Sequence, residues 1–295
     1  MSQPSGAALR VPPESGRTLE LGHTGPAGQR RYWLHVPAHR VAGRRPLVVL
    51  LHGGLQTAPE FITASAMNHF ADRHDVMVAY PQQSRRANQQ RFWNWFSPEH
   101  QQAGAGEPAI LAGLAQEVVE DWDADPDRVF VAGFSAGGAM AATLAATYPD
   151  RFAGLGVHSG VGYRAADDIY SGLQAMQHGG RPAPLPNTVP LIAFHGGRDT
   201  TVAPVNATQL VASRMVDVPG ATAERIEVPA GDDARAHTVT VHRDAAGVVQ
   251  AESWLVPSGG HAWFGGTTGV GSADPLGPSA SGEMLRFFLE NSQGD

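Results

Sequence analysis

The chain has no cysteine, which removes disulfides, thiol nucleophiles and thiolate-bound zinc and leaves the redox compartment open. Charge is scarce at 17% of residues, and the acidic side chains (28) outnumber the basic ones (21). A net charge of −7 without a basic stripe argues against nucleic acid and gives no attraction to an anionic membrane surface. Long apolar runs are missing too. The longest aliphatic run, Leu47–Leu51, is far too short to span a bilayer. The N-terminus lacks the basic-then-apolar order of a signal peptide. The expectation is a soluble chain, cytoplasmic as written, and extracellular or periplasmic if a leader was removed. No His/carboxylate cluster has metal-ligand spacing, so neither metal nor cofactor is expected.

What is present fits a folded α/β chain. With 295 residues and 42% hydrophobic content, the chain can bury a sizeable core without staples. Its 35 Gly and 22 Pro, together with the low charge, suggest ordered turns rather than disorder. Residues 1–28 are Gly/Pro/Ser-rich and are expected to be loosely ordered, leaving 29–295 as a single domain. Strand patterns fall at Arg30–Pro37, Pro46–Leu51, Val76–Tyr80, Arg128–Phe134, Phe152–Gly160, Pro190–Gly196 and Ala251–Pro257. Helical patterns fall at Pro59–His74, Pro108–Trp122, Ala136–Pro149, Val205–Val216 and Ser279–Asn291. Such alternation predicts a mostly parallel central sheet flanked by helices, with no large lid domain.

Gly133-Phe134-Ser135-Ala136-Gly137 stands between a strand pattern and a helix pattern. There a G-x-S-x-G sequence forms a nucleophile elbow, with small residues needed where the strand and helix crowd the turn. A serine hydroxyl is a weak nucleophile and needs a base and an orienting acid. In the α/β-hydrolase order Ser, Asp, His, the candidates are Asp199, just after the strand ending in His195, and His261, in a Gly-rich loop after a later strand. His195, His237, His242, Asp232 and Asp233 are better explained as structural or solvated groups. The oxyanion donors are assigned to the amides of Ala136 and Gly54, with Leu55 as fallback.

An aromatic cluster, RFWNWFSPEH, lies between the second oxyanion loop and the helix before the elbow. Its rings are expected to divide, with Phe92 and Phe96 anchoring the loop and Trp93 or Trp95 facing an acyl pocket. Asn94 is expected to hold loop backbone.

LHGGLQ, FWNWF with GAGEPAIL, GFSAGGAMAATLAATYPD, HGGRDTTV, GGHAWFGG and DPLGPSASGEMLRFF together resemble the polyhydroxybutyrate depolymerase-like esterases of the α/β-hydrolase fold. Feruloyl and acetylxylan esterases are relatives of that group. The resemblance covers about Arg30 to Phe288. It implies a serine esterase using Ser135, Asp199 and His261, with Trp93 or Trp95 and also Trp263 at the acyl pocket. Many relatives carry cysteine where this chain has Gly54 and Phe92, so here the two loops must be joined by packing. The expected substrates are short-chain, hydroxyalkanoate-oligomer or aromatic esters. The alternatives are peptidase, thioesterase or acyltransferase chemistry on the same residues, and least of all a non-catalytic binding protein.

Overall fold

The computed structural model describes residues 16–39, 43–186 and 188–292. Its strands are β1 (Arg17–Gly25), β2 (Gly28–Val36), β3 (Arg45–Leu51), β4 (Met77–Pro81), β5 (Ala124–Phe134), β6 (Gly154–His158), β7 (Leu191–Gly196), β8 (Thr222–Val228), β9 (His237–Arg243) and β10 (Val249–Val256). Its helices are α1 (Ala58–Ser65), α2 (Met67–His74), α3 (Gly106–Asp121), α4 (Ala136–Thr147), α5 (Ile169–His178), α6 (Val205–Met215) and α7 (Ala280–Asn291). Short strands β11 (Trp263–Phe264) and β12 (Ala273–Asp274) pair beside the main sheet.

The ten strands form one sheet in the order β1-β2-β4-β3-β5-β6-β7-β10-β9-β8. The six strands from β4 to β10 are parallel, and antiparallel strands extend the sheet at both edges. The continuous apolar run in β3 has a simple cause. Leu47, Val49 and Leu51 pack on one face and Val48 and Leu50 on the other, each fully buried. Helices α3, α4 and α6 contribute to the first cluster, and α1, α2 and α7 to the second. The parallel strands therefore point their carboxyl ends to one edge, where β3, β5, β7 and β10 all terminate next to candidate site residues.

Four features differ from expectation. The boundary expected at residue 28 falls inside a hairpin, because Arg17–Gly25 pairs with β2 along its whole length. Residues 1–15 of that expected loose segment lie outside the described residues. The helix expected over Pro59–His74 is two helices broken at Ala66, which is left-handed at φ 52°. The break is stabilised from outside: Thr267 donates its amide to the Ala64 carbonyl (3.1 Å) and Ser281 donates its hydroxyl to the Ser65 carbonyl (2.7 Å). Helix α5 and strand β8 had no expectation at all, and β8 is exposed along most of its length.

Candidate active site

Ser135 occupies the turn between β5 and α4 with φ 54° and ψ −119°, a strained conformation for a residue with a side chain. Crowding explains the glycines on either side. A Cβ at Gly133 would lie 2.4 Å from the Gly137 backbone, and one at Gly137 would lie 2.2 Å from the Leu51 carbonyl oxygen. The strain is held by hydrogen bonds from the Ser135 amide to the His158 carbonyl (2.8 Å) and from the Ala139 amide to the Ser135 carbonyl (3.0 Å).

His261 Nε2 lies 3.0 Å from Ser135 Oγ, and its Nδ1 lies 2.7 Å from Asp199 Oδ2. These contacts join residues 126 and 62 positions apart in sequence. The second oxygen of Asp199 accepts the amides of Thr201 (2.9 Å) and Val202 (2.8 Å), which fixes the carboxylate plane. Burial pushes the Asp199 pKa up, but hydrogen bonding and charge from His261, with the Val202 amide and His195, outweigh it and hold the carboxyl below its ordinary value. An ionised carboxylate behind a neutral imidazole beside a hydroxyl can move one proton from oxygen to nitrogen as the hydroxyl attacks.

The imidazole rests on the Phe134 ring, with centroids 4.9 Å apart. Below it, Trp263, His158, Phe264 and Phe61 form a packed aromatic group. Trp263 is fully buried, and its Nε1–H donates to Ser281 Oγ (3.1 Å). Its expected place at the acyl pocket is corrected: it anchors the His261 loop to α7. His158 accepts the Phe264 amide at Nε2 (3.0 Å), and burial holds it well below its ordinary pKa, so it is neutral. His195 contacts the Val202 carbonyl through Nε2 (2.8 Å) and lies 3.6 Å from Asp199, beside the chain of three rather than in it.

The loop expected to hold the second oxyanion donor follows β3. Burial lowers the His52 pKa to about 4. Its Nε2 accepts the Gln83 amide (3.0 Å), so Nδ1 carries the proton and donates to the Gly53 carbonyl (2.7 Å). Peptide planarity then fixes the Gly54 N–H on the opposite side of that unit. Among the described residues no protein acceptor takes the amide of Gly54 or of Ala136. The Leu55 amide donates to the Gln90 carbonyl (2.8 Å), so this fallback donor is already used.

The aromatic loop divides differently from expectation. Trp93 is fully buried and donates Nε1–H to the His52 carbonyl (2.9 Å), so its expected pocket role is corrected to that of an anchor. Trp95 and Phe92 both line a cavity with Ser135 and Ala136. Phe92, expected to be an anchor, lies against Gly54, where a Cβ would meet the ring at 2.3 Å. This ring-on-glycine contact and the Leu55–Gln90 hydrogen bond join the two loops. Phe96 packs edge-on to Trp95, with centroids 5.6 Å apart. The backbone amide and the side chain of Asn94 donate to Glu107 on α3 (2.8 and 2.9 Å), and within the loop its side chain accepts from Asn88 Nδ2 (3.0 Å) and donates to the Ala87 carbonyl (3.5 Å).

Ala139, Gly160, Val161, Met176 and Val202 complete the cavity wall. No motif marked them. Gly160, Val161 and Val202 follow strands at the carboxyl edge, which is a positional signal, whereas Met176 lies on α5, for which the sequence carried none. The cavity is narrow, ≈ 10 Å³, or room for about one water-sized sphere.

A parallel sheet with a strained serine turn at its carboxyl edge, followed in sequence by a carboxylate and a histidine, defines the α/β-hydrolase fold. The family model "Esterase PHB depolymerase" matches residues 30–230, and the chain belongs to that family. It is 34% identical over 201 residues to poly(3-hydroxyalkanoate) depolymerase C of Paucimonas lemoignei, covering 62% of this chain and 47% of the relative. It is 26% identical over 221 residues to a probable acetylxylan esterase A of Aspergillus fumigatus, covering 68% and 58%. The chain thus spans about half the length of the curated relatives it matches. An acetyl xylan esterase from Aspergillus awamori superposes with a TM-score of 0.66 over 83% of this chain and 94% of that one, at 20% identity, a likeness in fold.

Proposed function

We propose that the protein is a serine carboxylic-ester hydrolase working through an acyl-enzyme. The observation that carries this reading is the unbroken contact from Ser135 Oγ through His261 to Asp199 at a strained, helix-capping serine. Ser135 Oγ attacks the ester carbonyl while His261 Nε2 takes its proton, and Asp199 stabilises the imidazolium. The carbonyl oxygen becomes an oxyanion, received by the amides of Gly54 and Ala136, the latter at the N-terminus of α4. As the tetrahedral intermediate collapses, the bond to the alkoxy oxygen breaks and His261 protonates that oxygen, releasing the alcohol. Water then attacks the acyl-serine with His261 as base, freeing the acid and restoring Ser135.

The narrow cavity beside Trp95 and Phe92 favours short acyl groups. The relatives' names, poly(3-hydroxyalkanoate) depolymerase and acetylxylan esterase, fit short hydroxyacyl and acetyl esters. Ser135→Ala is expected to lower kcat on p-nitrophenyl acetate by about 10⁴-fold or more, and a fluorophosphonate probe should label the unsubstituted protein at Ser135. Turnover by Ser135→Ala at the rate of the unsubstituted protein would sink the assignment.

A further inference from the structure

A second concavity, far larger than the acyl cavity, opens where β1 and β2 meet the segments after β4. Its volume is ≈ 1110 Å³. Arg30, Arg31, Arg85, Arg86 and Arg91 all line it, against one carboxylate, Glu20. Glu20 is engaged by Arg31 at 3.1 Å. Arg85, Arg86 and Arg91 have no ion-pair partner among the described residues, and Glu60 reaches Arg91 only as a more distant charge. In a chain of net charge −7, this gathering of arginines runs against the whole molecule's balance.

The floor of the groove adds an independent observation. Arg30 is buried, donating from Nη1 to Gln83 Oε1 (2.6 Å) and lying 3.8 Å from Glu107, with its guanidinium 5.6 Å from the Trp93 ring centre. Its Nε is buried without an acceptor. Arg30 and Glu107 cancel as a buried pair, so the excess positive charge of the groove comes from Arg85, Arg86 and Arg91, while the unfilled Arg30 Nε–H leaves its floor a spare donor. All 21 basic side chains of this chain are arginine, since the sequence has no lysine. The planar guanidinium fork suits two-point recognition of a carboxylate.

The groove joins the acyl cavity through the chain itself. Arg91 directly precedes Phe92, a wall of that cavity, and Thr57, which also lines the groove, caps α1 just after the Gly54 loop. Arg91 is held left-handed, φ 56°, with its amide on the Asn88 carbonyl (2.9 Å), so its position is set by the loop rather than by free rotation.

We infer that this arginine groove binds a carboxylate carried by the ester substrate, outside the apolar acyl cavity, so that the protein prefers acidic esters to neutral ones. The inference rests on the ester-hydrolase reading for its substrate and extends it to a charge class. Two sources share this chemistry, the free acid end of a hydroxy-acid oligomer and an acidic sugar bearing an acetyl ester.

Binding to the Ser135→Ala protein separates them without turnover. The probes are 3-hydroxybutyrate trimer and its methyl ester, and an acetylated glucuronic acid and its methyl ester, titrated calorimetrically at low and high salt. The free acid of at least one pair should bind about tenfold or more tightly than its capped partner, and the pair that discriminates identifies the source. High salt should erase the difference. Arg85→Gln/Arg86→Gln, at exposed positions, and separately Arg91→Gln should reduce the ratio towards one while the melting temperature reports folding. Equal affinity for acid and cap in both pairs overturns the inference, as does a preference that survives both substitutions. Hydrolysis of the capped esters by the unsubstituted protein is measured separately. Its absence would count against the hydrolase reading and leave the binding result readable.

Discussion

Trp93 and Trp95 stand two positions apart in the same loop and do different work. Trp93 packs against His52 (centroids 5.4 Å) and donates to the His52 carbonyl, the oxygen that also sits where a Cβ of Gly137 would go. It therefore supports the contact between the oxyanion loop and the serine elbow from within the core. Trp93→Ala should cost about 3–5 kcal/mol of stability, measured by urea unfolding, because it opens a large cavity and strands a buried carbonyl. Trp95→Ala should instead widen the acyl cavity. The expected result is a rise of about tenfold or more in the kcat/KM ratio of p-nitrophenyl octanoate to acetate. An unchanged ratio would remove Trp95 from the specificity wall.

Among the secondary-structure elements, the break between α1 and α2 shows how tertiary contacts override local preference. Nothing in FITASAMNHF stops a helix, and alanine is the best helix former. The two carbonyls freed at the break are capped by Thr267 and Ser281, from the loop after β11 and from α7. That same docking carries Trp263, and with it the loop that presents His261. Because Ala66 is left-handed, Ala66→Gly should relieve backbone strain and stabilise the protein by up to about 1 kcal/mol. A lower melting temperature for this variant would show that the left-handed turn is not strained.

For the molecule as a whole, buried neutral histidines set the response to acid. Burial depresses His52 to about 4 and holds His158 and His195 below their ordinary value of 6.5. Above pH 6.5 neither the folded nor the unfolded chain protonates them, so they cost nothing. As pH falls below 6.5, the unfolded chain binds protons that the folded chain refuses, and stability drops. His52 alone contributes a loss of about 3 kcal/mol by the time pH reaches its folded value. Asp199 acts in the same direction, in a lower pH window. Its folded pKa is depressed, so its contribution is present above the unfolded carboxylate value and is lost as pH falls through the folded one. The urea midpoint should fall steeply between about pH 6.5 and about pH 4 and be level just above that window. A midpoint constant across the window would mean these histidines accept protons in the folded state.

The chain of residues settled much of this by itself. The apolar run of β3, the glycines around Ser135 and the order Ser135, Asp199, His261 could be read directly, because each is a local requirement of a buried strand, a crowded turn or a strand-end position. What lay beyond reach depended on residues distant in sequence. Trp93 and Trp95 carry the same side chain in near-identical contexts and are both buried, and which one lines the cavity beside Ser135 depends on where the His52 carbonyl and α5 meet the loop. Trp263 read as a pocket residue because it neighbours His261, yet its partner is Ser281, on a helix that only the folded chain brings near. Arg30, Arg31, Arg85, Arg86 and Arg91 showed no basic stripe in sequence because they come from two separate segments. Charge adds over space rather than along the chain, so the groove came into being only when β2 paired with β4.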